Sequence, residues 1–559
     1  MTPVPPVREL PALEVGRAFP LPPLVDAVLP NGLRVVAARA PSVPMVELWM
    51  RVPLPEAAEG PALAQVLADT LFADAEGADD LLGRAGATLG AGVDGGQLSV
   101  SASMTAAAFP EVLDLVAGAL TGAAHPDRAC EHAVRRLTAQ LGPLRAQPRI
   151  LAQDALRRHC YGPDVPPLLP DEQTLAAVTA DRVRQLHHQG MRPRGALVVL
   201  VGDLDPTAAV NHATTALSTW PPTATWPCAS AGSSASAGSL ASAGSLVSAQ
   251  LSESAQPSAS AGSLVSAQAS ESPQPSASPQ PSAPARPSAS ARPSASAGSS
   301  ASPHPLASPH PLASPQPLAS PQPSPHPRPP DSAPPASSPG TAAPSALTPT
   351  LPLPPRRMRS AGVAVVGRPG AVQSQIMLVA PGLPRDDPGF AALSLANCVL
   401  GGFFSSRLTV AVREERGLAY RIDAVLDELL DEELVFLDAD TRTDATEAAV
   451  RQIRDELLRL AERPPSAAET DAAREFFTGM TALGAASQAG LAGALMNLLQ
   501  YGLSPDWLRT FPQRLAEVTL GEVARAAQEF YAPSRFSGVI VGDPSGLASQ
   551  DFDLFARRQ

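Results

Sequence analysis

A long low-complexity stretch, residues 228–356, divides the chain and limits what it can fold into. It consists mainly of Ser, Ala, Pro and Gln in short imperfect repeats such as ASPHPLASPHPLASPQP, and it contains no aromatic residue. A segment of this composition buries too little apolar surface to offset the conformational entropy that ordering would remove. We therefore expect a disordered linker, and we interpret its three histidines, His304, His310 and His326, as low-complexity sequence rather than metal ligands.

The two segments that flank this linker, residues 20–227 and 357–547, have similar layouts. Each begins with a strand-rich stretch, continues into a helix and ends with an apolar strand and a Gly-Asp pair, in RGALVVLVGD and in RFSGVIVGD. Between these features, apolar residues recur at intervals of three and four, which is typical of packed helices. The sequence thus predicts a duplicated α+β architecture, with short tails at residues 1–19 and 548–559.

Composition limits the partners that such a chain binds. The formal net charge is −12 and the chain has no basic run, which argues against nucleic acid or an anionic membrane as the main partner. The cysteines are Cys130, Cys160, Cys228 and Cys398, and their wide spacing supports neither a disulfide framework nor a zinc ribbon. The sequence also contains no signal-like segment and no apolar run of membrane-spanning length, so we expect a cytoplasmic protein.

A series of short motifs occurs in the same order as in a known family. The second segment contains LGGFFSSRLTVAVREERGLAYRIDA (Leu400–Ala424), and the first contains LPNGLRVV, the helix that follows Gly60, and GRAGATLGAG. In this order the motifs resemble the M16 (pitrilysin or insulinase-type) metallopeptidases, in particular the two-domain bacterial subunits related to the mitochondrial processing peptidase. The resemblance implies an α+β chain of two homologous LuxS/MPP-like domains, each an antiparallel sheet packed with helices.

Active members of this family bind zinc through a His-x-x-Glu-His motif and a Glu from a later helix. The resemblance places the first three of these positions at Gln65, Ala68 and Asp69, and the last at Gln140 within the helix Glu131–Leu141. An amide oxygen is a poor zinc ligand, and alanine cannot act as the base on a metal-bound water. We therefore expect no metal in this chain. The structural alternative is an ordinary amphipathic helix with a solvated Gln and Asp.

The family's second functional pair is present in this sequence. Arg413 and Tyr420 lie seven residues apart in REERGLAY, either two helical turns apart or on opposite sides of a helix-to-strand turn at Gly417. The resemblance implies that such an Arg and Tyr line the cleft and hold the substrate backbone, as two donors that could stabilise an oxyanion. The alternative is structural: Arg413 paired with Glu414, and Tyr420 buried in the core.

Together these features predict a non-catalytic, substrate-positioning subunit of a heteromeric zinc peptidase. The expected partner is a homologous subunit that carries His-x-x-Glu-His and the zinc, the expected substrate is a peptide or unfolded segment, and the chain alone would be inactive. One alternative is a catalytically dead scaffold or binding protein. Another is an autonomous metallopeptidase whose motif has been aligned in the wrong register. Of the histidines outside the linker, we interpret His132 as a surface residue and His187 and His188 as structural residues.

Overall fold

The computed structural model describes two stretches of the chain, which we call the first half and the second half. They are residues 20–222 and 357–547, without 56–59, 76, 95, 164, 166, 360, 361 and 431, and residue 552 is described as well. The predicted linker, the tail at residues 1–19 and all but one residue of the tail at 548–559 lie outside the described residues. Both halves belong to one compact unit.

The strands and helices of the first half alternate along the chain as an α+β pattern. Its strands are β1 (Leu24–Val28), β2 (Arg34–Arg39), β3 (Met45–Pro53), β4 (Thr88–Asp94), β5 (Gln97–Thr105) and β6 (Leu197–Gly202). Its helices are α1 (Gly60–Thr70), α2 (Ala78–Ala85), α3 (Phe109–Gly122), α4 (Asp127–Arg145), α5 (Pro148–Tyr161), α6 (Glu172–Ala176), α7 (Ala180–Gly190) and α8 (Pro206–Ala216).

The second half repeats this pattern with one α-helix, instead of two, between the strands that correspond to β3 and β4. Its strands are β7 (Val363–Gly367), β8 (Gln373–Pro381), β9 (Ala419–Leu429), β10 (Glu432–Arg442) and β11 (Ser537–Gly542). Its helices are α9 (Phe390–Asn397), α10 (Thr446–Glu462), α11 (Ala467–Gly484), α12 (Gln488–Gln500), α13 (Trp507–Glu517), α14 (Leu520–Phe530) and α15 (Pro544–Leu547). Two π-helical turns lie between α9 and β9, at Cys398–Gly402 and Thr409–Glu414.

The order of strands shows that the two halves are duplicates. The first sheet has the order β1-β2-β6-β3-β5-β4 and the second has the order β7-β11-β8-β10-β9. Without β1, the two sheets correspond strand for strand. The prediction of antiparallel sheets needs correction, because β2 and β6 pair in parallel, as do β7 and β11. The last strand of each half returns through helices to lie beside β2 in the first half and beside β7 in the second, and such a crossover allows parallel pairing.

Each half contributes one helix to the other half's sheet. Helix α5 of the first half packs on β8 and β11, and α12 of the second half packs on β3 and β6. At the second contact Gly493 lies so close to Trp49 that a Cβ would come within 3.3 Å of the indole ring. Residues of both halves, such as Val199 and Ile376, consequently belong to one continuous apolar core.

Within the described ranges, no single helix has the length and apolar composition needed to cross a membrane, although two sharply bent helix pairs, Ala106–Gly122 with Asp127–Arg145 and Ala467–Gly484 with Gln488–Gln500, meet that test jointly.

Candidate functional site

Helix α1 has the buried and polar faces that its sequence predicts. Its apolar side chains Leu63, Val66 and Leu67 are fully buried in the core of the first half. Gln65 and Asp69 lie one turn apart on the partly exposed face. Ala68, where the resemblance predicts the base of an active peptidase, is only 3% exposed and packs within the core. A carboxylate at residue 68 would therefore be placed among apolar side chains.

The polar face of α1 is paired with an arginine. The Asp69 carboxylate forms an ion pair with the guanidinium of Arg136 on α4, and Gln65 Nε2 donates a hydrogen bond to Asp69 Oδ1 at 3.5 Å. Burial raises the pKa of Asp69, and the positive charge of Arg136 offsets part of that effect. A side-chain cation thus occupies the neighbourhood of the position where the second zinc-binding histidine of an active relative would lie.

Helix α4 presents a stripe of residues four apart that includes the predicted third-ligand position. Arg128, His132, Arg136 and Gln140 follow one another at this interval, so Gln140 lies one turn beyond the Asp69 partner. Gln140 was predicted from the sequence as the third-ligand position, whereas Arg136 was not singled out. The same spacing of four, counted back from Gln140, would have found it.

These residues do not fit zinc. The four positions provide two amides, a methyl group and one carboxylate that is already paired with a guanidinium, whereas zinc prefers imidazole, thiolate or free carboxylate. In the parts of the chain that the structure describes, no group of three or more His, Cys, Asp or Glu side chains is arranged to hold a metal ion. That the folded protein carries no zinc stays a prediction.

A buried chain of hydrogen bonds begins next to Asp69. Thr70 Oγ1 lies 2.7 Å from His125 Nδ1, His125 Nε2 lies 2.8 Å from His187 Nδ1, and His187 Nε2 lies 3.1 Å from the Leu120 carbonyl. A proton donated in that direction at each step satisfies every nitrogen with both rings neutral. Burial lowers the pKa of both rings to about 4, which agrees with neutral imidazoles. His187 is thus structural, as predicted, whereas no motif in the sequence pointed to His125.

The Arg413–Tyr420 pair lies on a turn between helix and strand, the second of the two geometries that the sequence allowed. Arg413 is near the end of the π-helical turn, Gly417 has φ +59°, and Tyr420 is the second residue of β9. Leu418 N donates to the Val412 carbonyl at 2.9 Å and closes the turn.

Both side chains of this pair face solvent. Tyr420 is 78% exposed, so its interpretation as a core residue is wrong. Arg413 Nε lies 3.5 Å from Glu414 Oε1, as the structural alternative for Arg413 predicted. Both of these charged side chains are largely exposed, and such a pair contributes little to stability. The role of Arg413 and Tyr420 in binding substrate stays a prediction.

A charged network that the sequence analysis missed anchors the strand beside Tyr420. Arg421 forms ion pairs with Asp423, Asp438 and Asp440 on β9 and β10. Arg149 of α5 lies 3.4 Å from Asp438 and links the network to the first half. These ion pairs join β9 to β10 at Arg421, next to a β-bulge at which Tyr420 has no partner residue on β10.

The chain thus consists of two duplicated α+β halves, with an ion-paired polar face on α1 and an exposed arginine and tyrosine in the second half. Comparison with known proteins agrees. Residues 336–477 match the family model described as Peptidase M16 inactive domain. A protein of Streptomyces coelicolor named as an uncharacterized zinc protease is 36% identical over 143 residues, which is 25% of this chain and 30% of that relative's length. The chain thus spans less than a third of this relative.

Solved structures reproduce the fold along most of the chain. An M16 inactive-domain protein from Pseudomonas fluorescens has a TM-score of 0.61 at 18% identity and covers 93% of this chain and 98% of its own. A protease from Helicobacter pylori has a TM-score of 0.62 at 13% identity, with coverages of 93% and 100%. The periplasmic protease PqqL from Escherichia coli has a TM-score of 0.58 at 14% identity, with coverages of 97% and 49%.

At these identities the solved structures establish the fold alone. With the family match, the resemblance found in the sequence is confirmed: residues 336–477 match an M16 inactive domain, and the fold is that of M16 structures.

Proposed function

We propose that this chain is the non-catalytic, substrate-positioning subunit of a two-subunit M16-type zinc peptidase. A homologous partner with an intact His-x-x-Glu-His motif would supply the zinc and the base. The observation that carries the proposal is an asymmetry between the halves. In the first half, the zinc positions contain an Asp69–Arg136 ion pair, while in the second half Arg413 and Tyr420 remain exposed and available for a ligand.

The chemistry of this pair suits a peptide in a closed cleft. A guanidinium and a phenol both donate hydrogen bonds, and Arg413 adds a permanent positive charge. When a partner subunit covers them and water is excluded, such donors stabilise the negative charge that develops on a carbonyl oxygen during peptide hydrolysis. Substrates would be short peptides or unfolded segments, because those can present an extended backbone to the cleft.

Reconstitution tests this proposal. The chain is co-expressed with a His-x-x-Glu-His homologue from the same genome, and peptide cleavage by the pair is compared with cleavage by each subunit alone. We expect activity in the pair only. Arg413→Ala and Tyr420→Phe should each lower kcat/KM of the pair by roughly 100- to 1000-fold, the effect of losing one oxyanion donor. The control Arg451→Ala removes an exposed arginine on α10 and should have no effect.

An alternative is a catalytically dead scaffold, which the ion pair between Arg413 and Glu414 favours. A scaffold would bind the homologue without activating it. If cleavage by the pair equals cleavage by the homologue alone, or if both variants match the Arg451→Ala control, the positioning role is wrong and the scaffold is preferred.

A further inference from the structure

An open cavity lies beside the altered zinc positions, between the end of α1 and the first turns of α4. Its volume is about 520 Å³. Asp69, Thr70 and Ala73 line one side, and the stripe formed by Arg128, His132 and Arg136 lines the other. Gln65, Ala68 and Gln140 are not among its lining residues. Of the four altered positions, only Asp69 therefore faces the cavity.

Most of the charged residues that line this cavity are basic. Asp69 is its one carboxylate, and Arg136 already neutralises that charge. Arg135 also lines the cavity and lies 3.6 Å from Glu131, a pair that is exposed on both sides and therefore weak. The cavity thus contains more positive than negative charge.

Arg128 is the side chain best placed to receive a ligand. Its neighbour Asp127 is paired with Arg184 at 2.9 Å. Among the residues that the structure describes, no carboxylate forms an ion pair with Arg128, and no hydrogen bond of its guanidinium is found. His132 lies one helical turn further along the same face. A planar guanidinium with free N–H groups matches the two oxygens of a carboxylate or phosphate.

We propose that this cavity binds an oxyanion, a carboxylate or phosphate group, through Arg128, His132 and Arg136. The cavity falls in the range of small-molecule sites, about 300–1000 Å³, so the oxyanion would be one end of a larger ligand. Asp69 competes with that ligand for Arg136, because the same guanidinium cannot donate fully to both. This site uses only residues of the first half and requires no partner subunit, so it is independent of the positioning role proposed above.

Isothermal titration calorimetry on the full chain tests the site with two probes, inorganic phosphate and acetate, at low ionic strength. Arg128→Gln should weaken binding on the order of tenfold or more, because it removes a charge-assisted hydrogen bond. Asp69→Asn should strengthen binding, because it releases Arg136 from its competitor. The control Arg39→Gln changes an exposed arginine outside the cavity and should leave binding unchanged. Circular dichroism checks that each variant is folded.

The decisive result is that Arg128→Gln weakens binding of the probe while Asp69→Asn strengthens it. Tighter binding of phosphate supports a phosphorylated ligand, and tighter binding of acetate supports a carboxylate ligand. If neither probe binds, or if Arg128→Gln behaves like Arg39→Gln, the proposed site is wrong. Since Arg128 has no partner in the described part of the protein, its replacement tests the site without disturbing the fold.

Discussion

Asp69 illustrates how a few substitutions change what a helix can bind. Its side chain lies on the polar face of α1, at the position where the family resemblance predicts a zinc-binding histidine in active members. The carboxylate could ligate a metal, but Arg136 is paired with it and supplies a fixed positive charge in the same place. Because like charges repel, Arg136 disfavours a divalent cation there. Gln65 and Gln140 add only neutral amides, which are poor zinc ligands.

Restoring the ligands tests this account. The triple variant Gln65→His/Asp69→His/Gln140→Glu recreates three zinc ligands on α1 and α4 but retains Arg136. We expect weak zinc binding by this variant, and clearly tighter binding once Arg136→Gln is added. Equilibrium dialysis with zinc compares the two variants. Equal affinity in both would show that Arg136 does not oppose the metal.

The buried histidines make stability depend on pH. His125 and His187 have their pKa lowered to about 4 by burial, whereas an unfolded histidine titrates near 6.5. Between these values the unfolded chain binds protons that the folded chain excludes, so both rings lower the stability as the pH falls. Buried carboxyls act in the opposite direction. Burial raises the pKa of Asp423 and Asp427 to about 6 and that of Glu433 to about 7.

Replacing one histidine separates the effect of the buried histidines on stability from that of the buried carboxyls. His187→Gln removes one excluded proton and leaves the carboxyls unchanged. Between pH 7 and pH 4.5 the variant should therefore lose about 2 kcal/mol less of its free energy of unfolding than the parent chain. Urea unfolding at both pH values measures this difference. The control is His188→Gln, which changes an exposed histidine on α7. If the pH dependence of unfolding changes no more in His187→Gln than in this control, the neutral, buried state of His187 is contradicted.

At the level of elements, helix α5 of the first half packs on the sheet of the second half and thereby couples the two halves. Helix α5 belongs to the first half by sequence, yet Ala152, Leu156 and Cys160 pack against the second sheet. Tyr161 at its end donates a hydrogen bond to Glu432 at 3.0 Å. Since the halves also share one apolar core, we expect them to unfold as one unit.

Leu156→Ala tests this coupling. Leu156 is 1% exposed, so its truncation should reduce the free energy of unfolding by roughly 2–5 kcal/mol while the protein still unfolds in a single transition. Leu483→Ala, on the exposed face of α11, should change it by less than about 0.5 kcal/mol. Two separate transitions in thermal or chemical unfolding would show that the halves are independent.

Some elements of the structure could be predicted from the sequence and others could not, and the difference has a physical reason. The amphipathic period of α1 and the apolar strands β6 and β11 depend on local patterns, and both were predicted correctly. The parallel pairing of β2 with β6 depends on where a distant strand returns, which a local pattern does not contain. The same holds for Arg136 and Arg421, whose partners lie on other elements, and for His125, whose neighbours are brought together only by the fold.

At the scale of the whole molecule, the two halves share a fold and differ in chemistry. The strand orders correspond, yet the first half has the Asp69–Arg136 ion pair and the cavity with basic residues, and the second half has the exposed Arg413 and Tyr420. A duplicated fold allows this division because each half keeps its own core residues while its surface residues change. This difference supports our proposal that a partner subunit binds the metal and that this chain supplies the positioning groups.

The zinc content of the purified chain, alone and with its His-x-x-Glu-His homologue, tests this assignment most directly. Atomic absorption should find substoichiometric zinc in the chain alone and stoichiometric zinc in the pair. The zinc of the pair should be lost when the histidines of the homologue are replaced, and it should be unchanged by Asp69→Asn in this chain. Stoichiometric zinc in the chain alone, lost on Asp69→Asn, would contradict the account.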